Sequence, residues 1–105
     1  MDRLQQLLGL LEDSPQDSFI LFALAKEYEK RNAPKRALDY YREIEEKDPD
    51  YIGVYYHLGK LYESQHQRAE ALAAYEKGMA KARQQGDQHS LGELSAAHLQ
   101  LADED

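Results

Sequence analysis

The sequence predicts an all-α protein built from antiparallel helix pairs, and three observations carry that prediction. Residues 15–48 recur without a gap as residues 49–82, a spacing of 34 residues. Within each copy, apolar and small residues return at three- and four-residue intervals, the period of a helix with one buried face. The prolines Pro15, Pro34 and Pro49 all fall at the edges of those periodic stretches, where a helix starts or stops.

The duplication rests on nine identities: Pro15/Pro49, Leu24/Leu58, Lys26/Lys60, Tyr28/Tyr62, Glu29/Glu63, Ala37/Ala71, Leu38/Leu72, Tyr41/Tyr75 and Lys47/Lys81. Typical residue usage gives roughly two by chance over such a span. The first copy sets Leu21, Leu24, Ala25 and Tyr28 ahead of Ala37, Tyr41 and Pro49, and the second sets Tyr55, Leu58, Gly59 and Tyr62 ahead of Ala71 and Tyr75. Small residues at Ala25/Gly59 and Ala37/Ala71 let two helices approach closely, while Leu and Tyr fill the neighbouring gaps.

This order of large, Leu, small and Tyr positions, then Ala, an aromatic and Pro, resembles the tetratricopeptide repeat family. The resemblance implies a right-handed α-solenoid of antiparallel helix pairs, with two full 34-residue repeats flanked by N- and C-terminal capping helices. The expected division of this single domain is an N-terminal helix over 1–14, repeat one over 15–48, repeat two over 49–86 and a C-terminal capping helix over 87–105. Two repeats fall short of the roughly three such stacks usually need, so the end helices are expected to make up the difference.

Residues 2–13 place Leu4, Leu7, Leu8 and Leu11 at helical spacing, with Leu10 at the margin of the stripe. Counting back one repeat from Ala37 and Tyr41 lands on Arg3 and Leu7, so this helix is expected to cover the apolar side of repeat one. Pro15 to Ser18 supplies a break and capping residues, and the next helix should run to about Arg31. Asn32 and Ala33 form a turn, and Pro34 opens a helix in whose first turn a missing N–H costs nothing. That helix should reach about Lys47 and bury Ala37, Leu38, Tyr41 and Ile44, with Asp48-Pro49-Asp50 ending it.

Repeat two begins near Ile52 and turns at Gln65 to Gln67, and Ala71, Leu72, Tyr75, Met79 and Ala82 mark its second buried stripe. Gly78 stands where repeat one has Ile44, which predicts a helix weaker by about 1 kcal/mol than with Ala. Arg83 occupies the place of a closing proline, so this helix should run on to Gly86. Asp87 can cap a last helix, and Ser90-x-x-Glu93 reads as a capping box one step later. Leu91, Leu94, Ser95 and His98 echo the first-helix pattern of a third repeat.

Composition narrows the class of function. With 20 acidic and 13 basic residues the net charge is −7, against binding a phosphate backbone, which needs a clustered basic face. No cysteine is present, which excludes disulfides, thiolate metal sites and a Cys nucleophile and fits a reducing, cytoplasmic setting. The leucine-rich start carries two glutamines and an early acid, so it reads as an amphipathic helix and not as a targeting signal. No stretch reaches the roughly eighteen apolar residues of a membrane span.

Chemistry is sparse. His57, His66, His89 and His98 lack the second histidine or carboxylate pair that would build a metal face, so no metal or cofactor is expected. Glu43, Glu45, Glu46 and Asp48 lie among Arg42 and Lys47, the pattern of a solvated helix face. Neither a glycine-rich phosphate loop nor a nucleophile elbow occurs, and no catalytic residue is assigned. His98 stands where the family usually has Tyr.

The candidate site is therefore a surface. The first helix of each repeat lines the inner, concave face in stacks of this kind. At 100° per residue Phe19, Phe22, Lys26 and Glu29 lie together beside the packing side, and Gly53, Tyr56, Lys60 and Glu63 take the same orientation in repeat two. The partner-binding residues expected are Phe19, Phe22, Lys26, Glu29, Tyr56, Lys60 and Glu63, an aromatic–Lys–Glu triplet that recurs. Lys and Glu are also common helix formers that pair locally, which would explain the same recurrence without a ligand. Tyr40, Tyr51 and Tyr56 have no place in the expected core. One known ligand mode of the family, a two-carboxylate clamp, is not expected, because its positions hold Phe22, Lys26, His57, His89 and Glu93. The expected function is non-enzymatic: an adaptor or scaffold binding a protein or peptide, with neither nucleic acid nor membrane as partner. The alternative is a structural homodimer joined through the end helices.

Overall fold

Local signals, side-chain caps at Asp2, Asp17 and Asp87 and the proline at Pro34, mark where four of the helices start. The computed structural model describes residues 2–104, and among them it contains six helices and no strand. Two compact units divide the chain, Met1–Tyr51 and Ile52–Asp105.

In the first unit, α1 spans Arg3–Asp13 and opens with a reciprocal capping box between Asp2 and Gln5. Its Leu7 is buried and Leu4, Leu8 and Leu11 are half-buried, the expected stripe, with Leu10 outside it. Helix α2, Ser18–Lys30, starts at Asp17, whose carboxylate accepts from the Phe19 and Ile20 N–H groups at 2.9 and 3.2 Å. Helix α3, Pro34–Lys47, carries the proline in its first turn as expected. Leu21, Leu24, Ala25 and Tyr28 of α2 meet Ala37, Tyr41 and Ile44 of α3 in the core, to which α1 adds Leu7. Leu38, expected inside, is half-buried. Ser18 Oγ donates to Asp48 Oδ2 at 2.6 Å, tying the start of α2 to the end of α3.

The second unit holds α4, Gly53–Ser64, α5, Arg68–Gln85, and α6, Gln88–Ala102. Helix α5 outruns α3 and stops at Gly86, in the left-handed conformation at φ 69°, as the missing proline implied. Asp87 caps α6 by accepting from the Ser90 N–H at 3.0 Å and from its hydroxyl at 2.7 Å. The box expected between Ser90 and Glu93 does not form, because Ser90 already lies inside the helix and is bonded to Asp87. Arg68 Nη2 donates to the last carbonyls of α6, Leu101 O at 3.2 Å and Ala102 O at 3.1 Å, satisfying groups that the helix end leaves open.

Two features repeat between the units in detail. Each first helix ends in the same paired bonds: the Ala33 N–H donates to Tyr28 O and Asn32 to Glu29 O, and likewise Gln67 to Tyr62 O and His66 to Glu63 O, at 2.8–3.0 Å. Asn32 at φ 59° and His66 at φ 60° supply the left-handed residue that glycine usually supplies. The small-residue contacts are tight in unit two. A Cβ on Gly59 would lie 2.2 Å from Tyr75 Cε1, and one on Gly78 would lie 2.5 Å from Tyr55 Cβ and 3.0 Å from Leu94 Cδ1. Gly78 is thus the point where α4 and α6 both close on α5. The sequence treats it as a weak spot, whereas here the absent side chain is what admits two neighbours.

Candidate partner-binding site

The seven expected residues are best followed unit by unit. On α2, Phe19, Phe22, Lys26 and Glu29 line one cleft of about 680 Å³, together with Ala23 and Lys30. Helix α1 adds Arg3 to the same wall, which the sequence reading left out. Phe19 is 72% exposed, a large apolar side chain presented to solvent. On α4, Tyr56 lines a smaller cleft of about 280 Å³ with Gly53, His57 and Glu93, a set that does not include Lys60 or Glu63. Lys60 instead sits over the Tyr56 ring, 5.6 Å from its centroid, and pairs with Glu63 at 3.7 Å.

The recurring glutamates have work inside each unit. Tyr41 OH donates to the Glu29 carboxylate, and Tyr75 OH to that of Glu63. Both rings are fully buried, so each hydroxyl needs a partner, and a carboxylate at the core's edge provides a strong one. Burial first, and then the bond to the carboxylate, push both phenols far above their ordinary range. Two of the nine identities, Tyr41/Tyr75 and Glu29/Glu63, are therefore the two halves of one repeated bond. Their constant separation of twelve residues was the available signal.

Phe22 and Tyr56 also touch the core, contrary to their assignment outside it. The Phe22 ring lies 5.8 Å from Tyr41 and 5.9 Å from Tyr51, and Tyr56 lies 6.4 Å from Tyr75. Tyr40 stacks on Tyr28 at 5.6 Å. The tyrosines without an expected place are thus ring neighbours of the core, where aromatic pairs add to burial.

Beneath the unit-one cleft lies a carboxylate that helical periodicity did not mark as buried. Glu27 is 7% exposed; Arg31 Nε donates to it at 3.0 Å and Arg3 Nε approaches to 3.8 Å. Arg31 also reaches Asp2 at 3.3 Å, so a chain of alternating charges fastens α1 to α2. The equivalent residue of unit two is the buried Leu61, and this Glu-for-Leu mismatch between copies was the sequence clue.

Comparison with known proteins places this arrangement. A family model for the tetratricopeptide repeat matches residues 28–94. The crystal structure of a tetratricopeptide repeat domain protein from Salinibacter ruber is 43% identical, covering 85% of this chain and 99% of that one with a TM-score of 0.80. The chain belongs to the tetratricopeptide repeat family. A solution structure of a tetratricopeptide repeat domain protein from Salinibacter ruber agrees at 45% identity, 83% and 88% coverage and a TM-score of 0.80. A solution structure of a Bordetella parapertussis protein is 30% identical over 97% of this chain and 89% of that one, with a TM-score of 0.82. No curated protein matches the sequence significantly. For a tetratricopeptide repeat protein the function class that the fold suggests is a protein–protein interaction module. Among the described residues, no helix of this repeat protein is long and apolar enough to cross a membrane.

Proposed function

We propose that the chain is a non-enzymatic adaptor or scaffold of the cytoplasm that receives a peptide or helix of a partner protein in a concave groove. Phe19, Phe22, Lys26 and Glu29 on α2 and Tyr56, Lys60 and Glu63 on α4 carry the contacts, without cofactor, nucleic acid or membrane. The observation that supports this is the α2 cleft, which joins an exposed phenylalanine to flanking cations on a rigid helix face. Family membership supports the class of partner. The test is a pull-down from the source cell with wild type beside a Phe19→Ala, Lys26→Glu, Lys60→Glu variant, whose substitutions avoid the core rings. Loss of partners with an unchanged circular dichroism spectrum is expected. Retention of every partner would refute the proposal.

One observation favours the second reading, a homodimer through the end helices: Leu10 and Leu99, exposed by 53% and 62%, lie on α1 and α6. Light scattering over a concentration series separates the two. A dimer persisting at low micromolar concentration, abolished by Leu10→Glu or Leu99→Glu, selects assembly.

A further inference from the structure

We infer that the unit-one cleft is a self-sufficient anchor site for an acidic peptide carrying a large apolar side chain, with α1 forming part of the site and not merely a cap. The inference rests on the interaction-module reading above and narrows its partner.

The two copies of the first helix show which residues make the cleft. Phe22/Tyr56, Lys26/Lys60 and Glu29/Glu63 are alike in both units, and the aromatic and Glu members of each set touch the repeated core. The positions that differ are Phe19 against Gly53, Ala23 against His57, Glu27 against Leu61 and Lys30 against Ser64. All four unit-one residues line the cleft of about 680 Å³. The cleft is thus a property of unit one and not of the repeat. Its volume lies within the roughly 300–1,000 Å³ of small-ligand pockets, enough for one large side chain and its neighbours.

Charge decides the occupant. The chain as a whole carries −7, yet the cleft is lined by three cations, Arg3, Lys26 and Lys30, against two carboxylates, Glu27 and Glu29. Both carboxylates are engaged from within, Glu27 by Arg31 at 3.0 Å and Glu29 by the Tyr41 hydroxyl. The lining thus carries one more cation than carboxylates on a molecule whose net charge is −7, and this local excess favours acidic ligands beside exposed Phe19. Arg3 has a second role, since its 3.8 Å approach to Glu27 holds its charge over the cleft. A peptide with Leu or Phe flanked by Asp and Glu satisfies both features, whereas an apolar basic peptide meets like charge.

The test uses the full chain and fluorescence polarisation with a labelled Asp-Glu-Leu-Phe-Asp-Glu peptide. The comparison peptides replace Leu-Phe by Ala-Ala, or the acids by Lys. The first peptide should bind saturably, weaken steeply with salt, and exceed both others by on the order of tenfold. Phe19→Ser and Lys30→Glu, both at exposed positions, should each lower affinity by on the order of tenfold. Arg3→Gln should weaken binding while the helical signal stays, the result that separates a binding role for α1 from a capping role. Arg83→Glu, an exposed charge reversal on α5 outside every proposed contact, should leave peptide binding within about twofold. Equal binding of the basic peptide, or indifference to both Phe19→Ser and Lys30→Glu, overturns the inference. Failure of the peptide to bind, alongside partner loss in the pull-down, overturns this inference and leaves the interaction-module reading standing.

Discussion

A methyl group added at Gly78 would sit 2.5 Å from Tyr55 Cβ and 3.0 and 3.1 Å from the two δ-carbons of Leu94. Carbon atoms rest about 3.5–4.0 Å apart, so α4 would have to retreat by about 1 Å. The Leu94 methyls can rotate, but Tyr55 Cβ is fixed to its main chain, and Tyr55 is fully buried. Helix propensity alone favours Gly78→Ala by about 1 kcal/mol. Overpacking of a filled core costs about 1–3 kcal/mol, and a contact to a main-chain-anchored atom belongs at the upper end. The net expectation is a loss of about 1–2 kcal/mol, or a fall in Tm of about 5–10 °C for a chain of this size. Thermal and urea unfolding followed by far-ultraviolet circular dichroism measure it. Gly9→Ala and Gly92→Ala are the controls, because neither added methyl has a neighbour within 4 Å. Each should stabilise by about 0.5–1 kcal/mol. If Gly78→Ala gained stability as the controls do, the close approach of α4 and α6 to α5 would be wrong.

Three further outcomes are expected. Tyr75→Phe keeps the buried ring but removes the hydroxyl that Glu63 accepts, and should cost about 1–2 kcal/mol in urea unfolding, with Tyr41→Phe behaving alike. His66→Gly relieves a side chain held at φ 60° and should stabilise by up to about 1 kcal/mol, whereas His66→Ala should not. Asp87 is held below the ordinary carboxyl value of 3.8 by its bonds from the Ser90 N–H and hydroxyl. A depressed folded value means that its support of α6 is complete above 3.8 and disappears as pH falls through the folded value. The protection of the Ser90 amide, its exchange rate relative to an unstructured chain at the same pH, should therefore fall on acidification in wild type and be low at all pH values in Asp87→Ala.

Helix positions were legible because punctuation is local. Asp17 and Asp87 cap where they stand, Pro34 opens α3, and Gly86 closes α5, each through its own backbone chemistry. Contacts between helices were harder to read. A helical wheel put Phe22 and Tyr56 beside the core, but only the neighbouring helix decides whether a ring reaches Tyr41 or Tyr75. Gly78 was misread for the same reason, since propensity describes one helix and its importance lies in two others. Glu27 resisted because a charged residue at a buried position becomes intelligible only once Arg31 and Arg3 are placed against it. Four of the candidate site residues, Phe19, Phe22, Lys26 and Glu29, line one cleft, because a single helix face carries them all. Arg3 was missed because it comes from a different helix.

The bond from Tyr41 to Glu29 makes one oxygen atom common property of the interior and the exterior. A substitution at Glu29 that suited a new ligand would strand a buried hydroxyl, so this position is closed to adaptation, and Glu63 is closed in the same way. Freedom to change recognition lies with the neighbours that support nothing underneath, Phe19 and Lys30 above all. A library built to redirect this protein to other peptides should randomise those two and leave the glutamates alone.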